Sequence, residues 1–154
     1  LMIIIITLMI VDIIATITSP MWLKVAFEKG YVAIIPVKNT VYQHAYPSSN
    51  YPFMLVFIIY CGLAALFALW QAAGLMRNIL ADNPFCMKNA VYLFRAAIGG
   101  IFLAIAFFVK MFVAPSAITL LCLAVFIFYS MIMFVLADLF KKAAMIKEEN
   151  ELTI

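Results

Sequence analysis

The sequence predicts an all-α integral membrane protein, with four transmembrane helices and one aromatic-rich extracytoplasmic loop. Three observations predict this class. Four long apolar runs follow one another within 154 residues, and a helix needs roughly 20 apolar residues to cross a bilayer core about 30 Å thick. Hydrophobic residues make up 69% of the chain and charged residues 11%, with a mean hydropathy of +1.18, a balance outside that of soluble domains. The fourth run passes straight into a charged end, Lys141-Lys142 through Lys147-Glu148-Glu149-Asn150-Glu151.

The first predicted span covers about residues 2–18, is rich in Ile and carries Asp12 as its only charge. β-Branched residues are modest helix formers in water, but lipid leaves a backbone no other partner, so the run is helical. Ser19-Pro20 is expected to end it. The run does not read as a cleaved signal peptide, because no small-x-small site follows it. The chain opens without an initiator Met, and a few basic residues are expected to precede it. Residues 19–52 form the outer loop, where Trp22, Tyr31, Tyr42, Tyr46 and Tyr51 suit the headgroup layer. A short hairpin about Lys38-Asn39 fits residues 31–46, with Pro36 arguing against it.

The second span covers about residues 53–76. Asn83-Pro84 reads as an N-cap and first helical residue, so the third helix rises from there, its membrane part at 91–113. Ala114-Pro115-Ser116 make a tight turn into the fourth span, about 117–140, and residues 141–154 form a tail. The whole chain, 1–154, is thus one membrane domain without room for a separate catalytic domain. With the N-terminus inside, the inner segments hold Arg77, Lys88, Arg95, Lys141, Lys142 and Lys147, against Lys24, Lys29, Lys38 and Lys110 outside. Six against four places both termini in the cytoplasm.

Asp12 is the most expensive residue in the chain, since a carboxylate near a helix centre costs roughly 2.5–3.5 kcal/mol on insertion scales. Lys110 lies at a depth from which its stem can reach Asp12, so the two form a candidate intramembrane charge pair. A proton or cation site is one reading; a structural pair, or a protonated carboxyl, is the other. Arg95 and Asp138 share a depth near the inner face and can pair, or Arg95 can snorkel to lipid phosphate. Two stripes of small residues, Ala64/Ala68/Ala72 and Ala96/Gly100/Ala104, are candidate packing positions, because close approach in lipid depends on small side chains. They predict that helices two and three pair antiparallel; the alternative is that one stripe serves a homo-oligomer.

Chemistry is otherwise sparse. Cys61, Cys86 and Cys122 show no metal or disulfide spacing, and His44 has no Cys, Asp or Glu at ligand distance in sequence. No phosphate loop, HExxH or GxSxG occurs, so neither an enzyme nor a cofactor is expected. A net charge of +3 without a basic stripe argues against direct nucleic-acid binding.

The end of the chain, Glu149-Asn150-Glu151-Leu152-Thr153-Ile154, resembles that of a bacterial family known as domain of unknown function 2975, with Glu151 replacing the commoner Asp. Asn83-Pro84-Phe85, Lys88-Asn89, Leu93 and Arg95 also look like that family's second connection, with Cys86 where Ser is frequent and Ala144 where Gly is frequent. The resemblance implies a small four-helix protein of the bacterial inner membrane with no established enzymatic activity. It also implies proximity to a small helix-turn-helix regulator, whose genes often neighbour those of the family. On that basis Asn83, Phe85, Asn89, Arg95, Glu149, Asn150 and Leu152 are candidate partner-binding residues. Asp138 and Lys142 form an i,i+4 pair of the stabilising orientation, and Leu139, Ala143 and Ile146 give the tail an apolar stripe. The tail either docks a partner or lies against the inner connection. The competing functional class is a small transporter or an accessory subunit of a larger membrane complex.

Overall fold

A computed structural model describes residues 2–28, 50–81 and 84–151. Four helices carry almost all of them: α1 (Met2–Glu28), α2 (Tyr51–Leu80), α3 (Met87–Val113) and α4 (Ala117–Glu151). Each is long and apolar enough to cross a membrane. They pack in chain order, α1 on α2, α2 on α3 and α3 on α4, and the last contact is the most extensive. The hairpin and the residues 29–49 of the predicted outer loop, with Tyr31, Tyr42, Tyr46 and His44, lie outside the described residues, as do Asn83 and Leu152.

α1 is longer than the sequence suggests, because Ser19-Pro20 does not end it. A proline ring removes one N–H and crowds the preceding turn, which stops helices in water more reliably than in lipid, where neighbours take up the freed groups. Here burial holds the helix beyond the break. Leu23, 7% exposed, packs with Met54 of α2 and Ala114, and the Tyr51 hydroxyl donates to the Pro20 carbonyl at 3.3 Å. Every inward-facing residue of α1 whose side chain is described falls on one stripe: Met2, Ile5, Met9, Asp12, Thr16, Ser19, Leu23 and Ala26. Steps of three and four along a single stripe mark a left-handed coiled seam. Gly62 of α2 admits it, since a Cβ there would overlap the Thr16 side chain.

The start of α3 also differs from expectation. Cys86, in extended conformation, is the N-cap and the helix begins at Met87, so Pro84 lies in the connection rather than at the first helical position. α3 is the most buried helix, and two parallel stripes one residue apart explain it. Asn89, Tyr92, Ala96 and Gly99 meet or border α2, Gly100 meets α4 and Ala90 lines a groove beside it, and Leu93, Ala97, Leu103 and Ala104 are buried along the same two stripes. Phe67 of α2 lies 3.3 Å from a Cβ built on Gly99, while the same test at Gly100 meets Ser130 and Tyr129 of α4. On α4 the buried residues Ser130, Ala137 and Ala144 recur every seventh position. Ser116 caps α4 as the turn requires, accepting the Thr119 N–H at 3.1 Å.

The small-residue pairing is therefore corrected. Gly100 does not meet α2. Tyr92 closes the α2–α3 seam by resting on Gly74, its ring 2.7 Å from where a Cβ would stand. Ala68, Ala72 and Ala96 do face one another across a shared cavity of about 70 Å³.

Candidate functional site

At the end of the bundle that carries the α2–α3 connection, the sequence builds a rigid corner. Asn89 is wholly buried. Its Oδ1 accepts from Asn78 Nδ2 of α2 at 2.7 Å and its Nδ2 donates to the Pro84 carbonyl at 2.7 Å, while its backbone N–H donates to Cys86 O at 3.0 Å. One side chain thus ties the last turn of α2, the connection and the first turn of α3. Asn89 is a clamp and is not available to a partner. Asn78 had no part in the sequence reading; a second Asn eleven residues away, across a connection that must fold back, was the pattern that could have shown it.

The corner presents Phe85. Its ring is 48% exposed and packs on Phe140 of α4 at 5.8 Å between centroids. The α4 extension therefore lies against the connection, with Phe140 on it and Ala144 only 1% exposed. α4 runs for 35 residues, about 50 Å at 1.5 Å per residue, well beyond a bilayer core. Asp138 pairs with Lys142 at 2.7 Å, not with Arg95, which stays exposed on α3. Of the apolar stripe on the extension, Ala143 is half-buried while Leu139 is 54% and Ile146 59% exposed, and Met145, farther round the helix, is exposed too; none of the described residues covers them. Glu149 and Asn150 are exposed farther along the same helix.

Between α3 and α4 at this end lies a groove of about 500 Å³, lined by Met87, Ala90, Val91, Phe94, Phe134, Ala137, Asp138 and Lys141. Phe94 and Phe134 meet edge to face at 5.4 Å and close it toward the middle of the bundle.

Asp12 and Lys110 are not brought together. Lys110 Nζ sits 4.9 Å from the centroid of the Phe57 ring and 5.9 Å from that of Phe107, a cation–π arrangement. Asp12 faces the α1–α2 seam, and its Oδ2 has no hydrogen-bond partner among the described residues. Neither depth nor direction matches: Leu23 of α1 meets Ala114, so Asp12, eleven residues below Leu23, lies deeper than Lys110, four below Ala114, and Lys110 leans over α2 from α3. Asp12→Asn and Lys110→Met are accordingly expected to change stability additively, within about 0.3–0.5 kcal/mol. A double-mutant cycle on unfolding in mild detergent measures this, and a larger coupling would restore the pair.

Gln71 is a second residue that sequence reasoning missed. It is 4% exposed in the middle of an apolar run, its Oε1 has no hydrogen-bond partner among the described residues, and it lines the 70 Å³ cavity beside Tyr129 and Met133. The remaining lining is Ala, Leu and the Tyr92 ring. Among the described residues no three His, Cys, Asp or Glu side chains come together.

Four apolar helices in series, with a polar clamp and a charged helical extension at one end, have the form of a multi-pass, all-helical membrane protein. The match to a family model makes the class specific. Residues 30–154 match the family described as protein of unknown function (DUF2975), and the chain belongs to it. Neither a curated protein nor a solved structure matches the chain.

Proposed function

We propose that this chain is a non-enzymatic interaction or sensor protein of the bacterial inner membrane. Its α2–α3 connection and α4 extension hold a partner protein at the cytoplasmic face. The observation that carries this reading is the apolar surface on the extension that none of the described residues covers. Leu139, Met145 and Ile146 are exposed on a helix that has already spent its Phe140–Ala144 face on the chain's own connection. A helix with one face docked and a second apolar stripe open is suited to lie in a partner's groove or to receive a partner helix. The clamp at Asn89 holds Phe85 beside it, so the two form one rigid platform. The resemblance noted above makes a small helix-turn-helix regulator the partner to test, held at the membrane and away from its operator.

The test is co-purification in mild detergent with a small helix-turn-helix regulator encoded by a neighbouring gene. The pair Met145→Glu and Ile146→Glu breaks this apolar surface without touching a buried residue, and is expected to abolish recovery of the regulator while leaving unfolding unchanged. Removal of residues 141–154 is also expected to abolish recovery, and to lower stability as well, since it takes away the buried Ala144 and the partner of Asp138. Undiminished recovery with both variants would sink the reading.

The orientation has its own test. In a background with Cys61, Cys86 and Cys122 replaced by Ala, a cysteine at Ser49 is expected to react with an impermeant maleimide in intact cells, and one at Asn150 only after lysis. Labelling of Asn150→Cys from outside would reverse the topology.

A further inference from the structure

We infer that the groove between α3 and α4 binds one anionic phospholipid, with an acyl chain along its apolar floor and the phosphate at Lys141. This rests on the membrane-spanning reading and not on the partner reading. Small residues make the furrow. Ala90 of α3 and Ala137 of α4, each 6% exposed, line it and leave room that larger side chains would fill. Val91 and Phe94 form one apolar rim, Phe134 the far end, and Met87 and Lys141 the mouth.

Depth fits a lipid. Phe134 lies seventeen residues on from Ala117, the start of α4, or about 26 Å along the helix. It is thus within roughly 30 Å of hydrocarbon measured from that start. Lys141 lies twenty-four residues on, about 36 Å, which is the headgroup layer of a bilayer about 40–45 Å thick overall. The groove is therefore apolar where acyl chains run and charged where phosphates lie.

Charge selects the headgroup. Asp138, the one carboxylate lining the groove, is already held by Lys142 at 2.7 Å. Lys141 makes no ion pair with a described residue, and Lys88 and Arg95 are exposed on the adjoining face of α3. With Lys142 matched to Asp138, three cations, Lys141, Lys88 and Arg95, remain and favour a headgroup of net negative charge over a zwitterionic one, whose own ammonium would meet the same side chains. Basic pockets between transmembrane helices recognise anionic headgroups in this way.

Native mass spectrometry of the full chain in mild detergent, titrated with phosphatidylglycerol or with phosphatidylcholine of the same acyl chains, tests the site. One phosphatidylglycerol is expected to remain bound under activation that strips phosphatidylcholine. Lys141→Gln should weaken phosphatidylglycerol binding about fivefold, the change for about 1 kcal/mol per surface cation, and leave phosphatidylcholine unaffected. Val91→Trp fills the groove from an exposed rim and should lower retention of both, whereas Ile105→Trp, on an exposed face elsewhere on α3, should change neither. Inorganic phosphate at millimolar concentration should not displace the lipid; displacement would mean a phosphate site only. Equal retention of the two lipids by the native chain, or retention insensitive to both Lys141→Gln and Val91→Trp, would overturn the inference. Neither Met145→Glu nor Ile146→Glu touches the groove, so failure of partner recovery and failure of lipid retention are separable.

Discussion

Gly100→Leu is expected to separate α3 from α4 and to cost more stability than any substitution on the lipid-facing side of α3. Gly100 is buried against α4: a Cβ would strike Ser130 Oγ and stand 2.7 Å from the Tyr129 ring. Ser130 yields only by losing the hydrogen bond that its hydroxyl donates to the Phe126 carbonyl at 3.0 Å, and the Tyr129 ring can take up only part of the added bulk by moving toward the cavity that it shares with Gln71 and Met133. Overpacking a tight contact typically costs about 1–3 kcal/mol, and a whole isobutyl group at this point belongs at or above the top of that range. Phe102→Leu, at a residue 54% exposed, is the control. Denaturant or thermal unfolding in mild detergent compares the two, and equal tolerance would mean that α3 and α4 are not seated on Gly100.

The same residue shows what the sequence could and could not disclose. Number of spans, their order and the turn at Ala114-Pro115-Ser116 followed from the length of apolar runs and from turn chemistry. The seams did not, for a geometric reason. At 3.6 residues per turn each fourfold step advances about 40° around the helix, so Ala96, Gly100 and Ala104 drift off any one face. Ala96 borders the cavity with α2 while Gly100 meets α4. A stripe that stays on one neighbour alternates threes and fours, as Ile5, Met9, Asp12, Thr16 and Ser19 of α1 do. Reading α1 with the same rule would have put Asp12 on the α2 seam from the outset, with Thr16 and Ser19.

Pro20 and Asn89 were misjudged for a different reason: both are local rules overridden by packing. A proline ends a helix when the next turn has nothing to gain, and Leu23 has Met54 and Ala114 to pack against. A polar residue in a connection is open to partners when it is solvated, and Asn89 is not. The groove and the exposed stripe on α4 were illegible because each depends on which side of a helix is left over once its neighbours are placed. Leu139 and Ile146 belong to a stripe evident in sequence; that Phe140 and Ala144 would take the docking, and leave the stripe open, is a property of the assembled bundle.

Asn89→Leu is the substitution expected to uncouple the connection from the helices it joins. The side chain fits the available volume, so the effect is one of lost hydrogen bonds and not of a cavity. It leaves two groups without their partner, the Asn78 amide and the Pro84 carbonyl, each 2.7 Å from Asn89 in the native corner. An unsatisfied buried polar group costs about 1–3 kcal/mol, so a loss of roughly 2–5 kcal/mol is expected where both stay buried and less where water reaches one. Asn78→Leu should cost less, because Asn89 then keeps Pro84. The double variant should be milder than the sum of the singles, since the Asn78–Asn89 bond can be lost only once. Strict additivity would show that Asn78 and Asn89 act independently. A second readout separates clamp from contact. Asn89→Leu alters no exposed side chain, yet it frees the connection that holds Phe85 against Phe140. Partner recovery should therefore fall for Asn89→Leu even at temperatures where the four helices remain folded by circular dichroism. Full recovery under those conditions would mean that the platform does not need its clamp, and that the exposed stripe on α4 alone holds the partner.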